Sequence, residues 1–410
     1  MLDLRSISRD PEPVRAALAR RRDGSDERLM AALALRSELN QLRPELENAQ
    51  AESNAGAKRI GEAKRTGADA SEAIAAMQAV SARVKELTPE VTRLDTELTT
   101  LQATLPNPPD PSAADADDTL REWGEKRAAG RDHLELAGAM IDMEAGSKVS
   151  GPRFAFLKGD LVFLELALVR WVMELLRPHG FEPVIPPVLV KEEALFGTGF
   201  LPDTEQQIYR LADDPLFLTG TSEVPLASLH AGEIMDEVPR RYAGFSPCFR
   251  REAGAAGKDT RGIFRVHQFD KVEMFAFVEP SQSAQEHERL LAIEEEILQG
   301  LGIPYRVVNI AVDDLGSSAV KKYDLEAWLP SQQQYREVTS TSNTTDFQAR
   351  RLNIRYRPGG GKPEHVHTLN GTAVAVSRTL IALMENHQTE DGGVSIPAVL
   401  QQWGAPARLG

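Results

Sequence analysis

Two runs of apolar residues at heptad spacing limit what the first quarter of this chain can fold into. Leu35, Leu39, Leu42, Leu46 and Ala49 recur at alternating steps of four and three. Met77, Val80, Val84, Leu87, Val91, Leu94, Leu98, Leu101 and Leu105 keep the same steps. Charged and polar residues fill the intervals, which is the a/d pattern of a coiled-coil seam. The stretch "KRTGADAS" (64–71) interrupts it. The pattern predicts a long antiparallel helical hairpin over about 27–104, with its tip near 66–70 and a reach on the order of 50 Å. With no third helix to close a bundle, the hairpin is expected to stand out from the body. Pro44 and Pro89 fall inside its helices. Each lacks an amide donor and should kink its helix, and both lie at a similar distance from the tip.

Charge decides what the hairpin can bind. Residues 27–104 hold 10 Lys and Arg against 12 Asp and Glu, so the hairpin is no basic comb. It is either a solvated dimerisation or spacer element, or it contacts phosphates on one side through Arg36, Arg43 and the pairs Lys58–Arg59 and Lys64–Arg65. The whole chain has a net charge of −14, which argues against non-specific nucleic-acid or membrane binding. Its one cysteine, Cys248, rules out a disulfide framework and a Cys-rich zinc site. The start, "MLDLRSISRDPEPVRAALARR", has no apolar core of a signal peptide, and no apolar run is long enough for a bilayer. A cytoplasmic protein is expected.

"TLPNPPDPSAADADD" (104–118) has the Pro-rich, acidic composition of a linker. The expected organisation is therefore an N-terminal domain at 1–104, a linker at 105–118 and a larger domain at 119–410. In the larger domain, helix-period stretches such as 161–180 alternate with the strand-like runs "LFLTG", "FSPCFRRE", "FRVHQFDKVEMFAFVE", "YREVTST" and "HVHTLN". Hairpin-like connections predominate, so an antiparallel sheet with helices packed on it, an α+β body, is predicted.

Residues 247–273 concentrate Arg250, Arg251, Lys258, Arg261, Arg265 and Lys271 in an otherwise acidic chain. Side chains alternate along a strand. Over 264–273, Arg265, Phe269 and Glu273 share a face, as do His267 and Lys271, while Val266, Gln268, Asp270 and Val272 take the other. Arg250 and Glu252 share a face in "FRRE". Paired as a hairpin around 253–263, the two strands offer arginines for phosphate oxygens, an aromatic ring for a base and carboxylates for an amino or ammonium group. Gly254, Gly257 and Gly262 would let the loop close over a ligand. The same residues also suit an exposed hairpin with ordinary cross-strand ion pairs.

Three further stretches carry polar groups in suggestive places. In "YREVTSTSN" (335–343), Glu337 and Ser340 offer oxygens of the kind Mg²⁺ takes. Their spacing of three requires a bulge or a strand end to bring them onto one face; otherwise they form a solvent-facing strand end. In "HTLNGTAVAVSRTLIALMENHQ" (367–388), a helix is expected after Asn370-Gly371, with Thr372 as its N-cap and Arg378 two turns in. That arginine pairs with a surface acid or projects into a phosphate site. In "LTGTSEVPLASLH" (218–230), Thr221 and Glu223 stand where a strand passes into a helix, a position that N-cap chemistry also explains.

Taken together, these segments resemble the class II aminoacyl-tRNA synthetases, and specifically the seryl-tRNA synthetases of the bacterial type. "FRREAGAAGKDTRGIFRVHQFDKVE" is similar to motif 2 and "TLNGTAVAVSRTLIALMENHQTEDG" to motif 3. "GFEPVIPPVLV", with Pro187, is similar to motif 1, and "TGTSE" to the family's TxE loop. The resemblance implies an antiparallel-sheet catalytic domain with an N-terminal tRNA-binding arm, and a serine–tRNA ligase using ATP. By it, Arg250, Arg251, Glu252, Phe269, Glu337, Val338, Thr339, Ser340 and Arg378 would line the ATP site. Arg250 would take the α-phosphate, Glu252 the adenine, Phe269 the base stack and Arg378 the far phosphates. Arg250, Arg265 and Arg378 would be the catalytic cations. Thr221, Ser222, Glu223, Glu273, Asn370 and Thr372 would hold L-serine. Glu337 and Ser340 would ligate Mg²⁺ with ATP, and no zinc is implied. Implied partners are tRNA-Ser, through its long variable arm, tRNA-Sec, and a second copy of the chain through the motif 1 region; no membrane is implied. The chain departs from the family pattern at Thr341, where a cysteine is common, and at Ala373 and Ser377, where glycines are.

Overall fold

The computed structural model describes residues 1–202, 207–253, 259 and 261–410. Gly254, Gly257 and Lys258, singled out above, lie outside the described residues. The chain divides into two compact units, Met1–Leu105 and Pro106–Gly410.

In the first unit, helices α1 (Ser25–Thr66) and α2 (Ser71–Ala103) are joined by a turn at 67–70. Gly67, at φ 72°, ends α1 in the left-handed conformation that glycine adopts at little cost. The heptad residues form the seam: Leu39, Leu46, Leu87, Val91, Leu94 and Leu98 are buried, with Leu35, Leu42, Val84 and Leu101 packed against them. Ion pairs Arg43–Asp95 and Arg83–Glu45 cross the seam. They are exposed, so they mark the register more than they stabilise it. Gly56 lies against Met77. Counting twelve residues toward the base along each helix leads to Pro44 and Pro89, which therefore sit at one level. Both helices continue through their proline without a break. At the base the pair has company: short helices Leu4–Ile7 and Glu12–Ala19 bury Leu4 and Leu18 beside Leu29 and Leu105.

The second unit is built on one sheet of eight strands: β1 (Asp118–Trp123), β2 (Glu182–Val184), β3 (Arg240–Phe249), β4 (Gln268–Val278), β5 (Tyr305–Asn309), β6 (Lys321–Leu329), β7 (Gln334–Thr345) and β8 (His367–Ala375). Their order is β1-β5-β6-β7-β8-β4-β3-β2. All neighbours are antiparallel except β2 and β3, which pair in parallel at one edge. Helices α3 (Asp160–Leu176), α4 (Ser283–Gly300) and α5 (Val376–Asn386) share a core with the sheet, in which Val272, Met274 and Ala276 of β4 meet Leu164, Ile293 and Leu380. Because β4 alternates, Phe269, Lys271 and Glu273 face the other side. The expected α+β class is what forms.

Three local expectations change. The Pro-rich stretch is not a free linker. Asn107 is buried, its side-chain amide donating to the carbonyls of Ser318 (2.9 Å) and Thr344 (2.8 Å), and the Asp110 amide donates to the Val320 carbonyl. Prolines bring few amide donors to satisfy, so such a segment can lie against a sheet as readily as in solvent. The β3–β4 connection spans 250–267 rather than 253–263, which leaves Arg250, Glu252 and Arg265 outside the strands. The chain around 367–375 is strand, so Thr372 is no N-cap and Arg378 sits in the first turn of α5.

All four tryptophans, Trp123, Trp171, Trp328 and Trp403, lie in the second unit. Leu94 is 1% exposed in the helical seam. Leu94→Ala should cost about 2–5 kcal/mol. In urea, the far-ultraviolet dichroism transition of the helical unit should move to lower concentration while the tryptophan fluorescence transition stays in place. A matched shift of both would mean that the two units unfold as one.

Candidate active site

The side of the sheet opposite the helical core carries a cavity of about 560 Å³. Fourteen of the sixteen site residues named from the sequence line it, from Phe269 and Arg250 through Glu273 and Thr372 to Glu337, Ser340 and Arg378. Two do not. Ser222 is fully buried and its hydroxyl bonds that of Ser246 (2.7 Å). Arg251 is exposed, with its amide donating to the Gln207 carbonyl. Adjacent residues in an extended chain point to opposite sides, so Arg250 and Arg251 cannot both enter the cavity.

Two β-bulges aim the floor. Between β6 and β7, Leu325 faces Thr339 and Glu326 faces Glu337, so Val338 is the extra residue. That bulge supplies what a spacing of three requires: Glu337 and Ser340 come onto one face. Between β4 and β8, Val272 faces Val374 and Glu273 faces Thr372, which makes Ala373 the extra residue. Thr372 thereby stands directly across from Glu273, with Asn370 two pairs further on, opposite Phe275. Gly371 is required beside them, since a Cβ there would come within 2.8 Å of Glu294 Oε1 and 3.1 Å of Thr341 Oγ1.

At one end of the cavity the cations meet rings. The Arg250 guanidinium lies 5.3 Å from the centre of the Phe269 ring, and its Nε donates to the Gly220 carbonyl (3.3 Å). Glu252, in the left-handed region at φ 50°, turns the chain out of β3 so that its Oε2 meets Arg265 Nη1 at 2.6 Å. Arg378 pairs with Glu337 (3.2 Å) and lies 4.7 Å over Phe264, whose ring Arg336 also approaches at 4.1 Å.

At the other end is a buried polar knot. Lys271 Nζ pairs with Glu273 and donates to Thr221 Oγ1 at 2.8 Å. Glu273 also accepts from Asn370 Nδ2 (3.2 Å) and Thr372 Oγ1 (3.3 Å). Glu223, 8% exposed, accepts from Gln348 Nε2 at 2.8 Å. Burial first, and the Glu273 charge second, push the Glu223 carboxyl up to about 7. Below the floor, the fully buried Glu294 accepts from Thr339 Oγ1, and burial raises it well above the ordinary carboxylate range. An ammonium-bearing ligand fits this knot because it would let carboxyls that hold protons in isolation ionise.

Glu337 and Ser340 also fit a hard divalent cation. Burial works to raise the Glu337 carboxyl, but Arg378, Lys322 and Arg250 together outweigh it and hold it below its ordinary value. An ionised carboxylate beside a hydroxyl is an oxygen donor pair. Among the described residues no group of three or more His, Cys, Asp and Glu side chains could hold a metal by itself.

Lys271, Gln348, Lys322 and Phe264 belong to the cavity or its immediate support but had no role in the sequence reading. Lys271 was within reach of it, being two residues from both Phe269 and Glu273 on the same strand face. Gln348 was not, since it arrives from a separate helix, Phe347–Leu352, by tertiary packing alone.

Comparisons agree along the whole chain. Residues 1–109 match the family model for the seryl-tRNA synthetase N-terminal domain, and 208–387 the one for the class II tRNA synthetase core domain (G, H, P, S and T). The chain is 47% identical to a serine–tRNA ligase of Nocardia farcinica, over 98% of this chain and 97% of that one. It is 48% identical to the serine–tRNA ligase of Thermobifida fusca, over 98% and 97%. The crystal structure of seryl-tRNA synthetase from Pyrococcus horikoshii complexed with ATP superposes with a TM-score of 0.91 at 40% identity, covering 100% of this chain and 99% of that one.

The raised Glu223 carboxyl makes stability pH-dependent. The folded protein keeps that proton up to about 7, the unfolded chain only to about 4.5. The stability this lends is complete below the unfolded value and is lost as pH rises through 7. Glu223→Gln should therefore lose less stability than the parent between pH 5 and 8, by up to about 3 kcal/mol. Urea unfolding at both pH values measures the difference. Identical pH losses in parent and variant would mean that Glu223 is ionised in the fold.

Proposed function

The chain belongs to the seryl-tRNA synthetase family of class II aminoacyl-tRNA synthetases, and from that membership we propose how its cavity performs the two steps of serine–tRNA ligation. In the first, L-serine and ATP give seryl-adenylate and pyrophosphate. In the second, the seryl group passes to the 3′-hydroxyl of the terminal adenosine of tRNA-Ser. The observation that carries this reading is one cavity with arginines and an aromatic ring at one end and a buried carboxyl knot at the other.

In this reading adenine stacks on Phe269, and the Arg250 guanidinium now over that ring shifts to the α-phosphate. Glu252 takes the adenine amino group and Arg265, its present partner, turns to phosphate and substrate. Arg378 holds the far phosphates. The serine ammonium enters between Thr221, Glu223 and Glu273, and the hydroxyl meets Thr372 and Asn370. The serine carboxylate is ionised at neutral pH, so its in-line attack on the α-phosphorus needs no general base. Catalysis comes from positioning and from preorganised cations facing the charge that develops on phosphorus. Glu337 and Ser340 would hold Mg²⁺ with ATP, and the ion would supply phosphate neutralisation. Alanine is rejected because it leaves the hydroxyl's partners unpaired. Threonine differs by one methyl, a weaker handle of about 1–3 kcal/mol unless it clashes.

The helical hairpin takes the long variable arm of tRNA-Ser, and of tRNA-Sec. Support comes from Lys58, Arg59, Lys64 and Arg65 near its tip, which are exposed and have no ion pair among the described residues. Arg43 is engaged by Asp95. The enzyme acts in the cytoplasm as a homodimer through the motif 1 region. There Ile185 is 81% exposed, and on the preceding helix α3 Phe163 and Leu166 are each 57% exposed, apolar side chains that a partner would cover. Among the described residues no helix is long and apolar enough to cross a membrane.

ATP–pyrophosphate exchange, run with Mg²⁺ and each amino acid in turn, should proceed with serine alone. Arg250→Ala should lower its kcat by roughly 10²–10³. Exchange with a different amino acid would overturn the pocket assignment, and none with any would overturn the enzymatic reading. Ile185→Asp should shift the mass measured by light scattering from dimer to monomer; an unchanged mass would place the interface elsewhere.

A further inference from the structure

The metal-site end of the cavity already contains a cation that the reaction as described does not use. Lys322, on β6, has a side chain only 21% exposed, and it lines the cavity. Its Nζ lies 3.0 and 3.1 Å from the two oxygens of Asp324, itself 7% exposed. Register places both on the cavity face. Lys322 stands across from Ser342 and Asp324 across from Ser340, while the Val338 bulge brings Glu337 onto the same face opposite Glu326. The acidic residues near Ser340 are thus each matched: Asp324 by Lys322, and Glu337 by Arg378 at 3.2 Å. Glu326, opposite Glu337, has Arg306, and burial with the neighbouring Glu337 and Glu326 raises the Asp324 carboxyl while Lys322 opposes that rise, so each carboxylate here is balanced by its own cation.

We propose that Lys322 is the resident cation of the metal site: its ammonium holds Asp324 and offsets the Asp324–Glu337 pair, so that a divalent ion enters only together with the phosphates of the nucleotide. A divalent ion approaching the free enzyme meets a neutral quartet and an ammonium already seated on the nearer buried carboxylate. Repulsion between like charges a few ångströms apart is large in so enclosed a site. ATP changes the balance by bringing its own negative charge, which draws Arg378 and Lys322 off the carboxylates and supplies the remaining oxygens. Lys322 is accordingly a positioning residue, one that makes metal binding follow substrate binding. Removing its charge while leaving Asp324 in place should turn Asp324, Glu337 and Ser340 into an oxygen cluster open to a divalent ion without nucleotide.

The inference rests on the reading that ATP is used here with a divalent ion, and the test separates the two. Mn²⁺ binding is measured by electron paramagnetic resonance on the full-length protein without ATP, beside serine-dependent exchange supported by Mn²⁺. The parent should bind Mn²⁺ weakly. Lys322→Met should bind it at least about tenfold more tightly, with thermal stability that rises on adding the ion. Lys322→Arg should behave as the parent, and Lys322→Met/Asp324→Asn should lose the gain. The double variant leaves no unpaired buried charge, so it also stays informative if the single variant folds poorly; in that case Lys322→Gln, which keeps a hydrogen-bond donor to Asp324, replaces it. Equal Mn²⁺ affinity in parent and charge-removing variants, or tight binding by the parent without ATP, overturns the inference. Failure of the parent to use any divalent ion in exchange overturns the reading beneath it instead.

Discussion

Charge burial organises this enzyme. Around its sheet floor Glu273 of β4, Glu223 of a short helix and Glu294 of α4 lie in one neighbourhood, with the ammonium of Lys271 among them. Isolated carboxylates cannot be left ionised at that depth. The solution is unequal: Glu273 takes the lysine and two side-chain donors, while Glu223 and Glu294 keep their protons to higher pH. The result is a pocket short of one positive charge, the gap that the ammonium of the proposed substrate would fill. In the proposed reading, substrate recognition and the energetics of the empty fold therefore share one cause.

The opposite charge problem sits at the other end of the cavity, on the β3–β4 connection and the first turn of α5. In the proposed reading, Arg250, Arg265 and Arg378 await a triphosphate without repelling one another or collapsing the cavity. Each is held by a neutral or acidic partner: the Phe269 ring, Glu252 and Glu337 respectively. In the proposed reading these contacts are exchanged for phosphate oxygens when the nucleotide binds. An acidic chain with a locally basic cavity is a consistent arrangement, because the basic charge is matched to one ligand and masked in its absence.

Much of this was legible in residue order. The heptad steps of 35–49 and 77–105 specify a helical hairpin because only one spacing keeps apolar residues on a seam, and Gly67 marks its turn. The alternation of Phe269 and Glu273 along a strand put them on one face, with Lys271 between them on the same face although no role was given to it. Three readings failed for a common reason. The proline-rich stretch around 107, the ends of β3 and β4, and the start of α5 are all settled by what the backbone meets across the sheet. Local composition does not record such partners, and strand or helix boundaries are its weakest product.

By itself, then, the sequence determined the types of element, most of the polar residues that come to line the cavity, and the family. Those properties depend on side-chain chemistry and spacing within single segments. Tertiary structure decided the aim of those residues. The extra residues Val338 and Ala373 shift register by one, which is enough to carry Glu337 onto the face of Ser340 and to set Thr372 across from Glu273. Packing also chose Gln348, from far along the chain, as the partner of Glu223, and strand pairing set Asp324 and Lys322 beside Glu337. A one-residue slip moves a side chain to the other side of a sheet, and only the neighbouring strand, not the segment itself, determines where such a slip occurs.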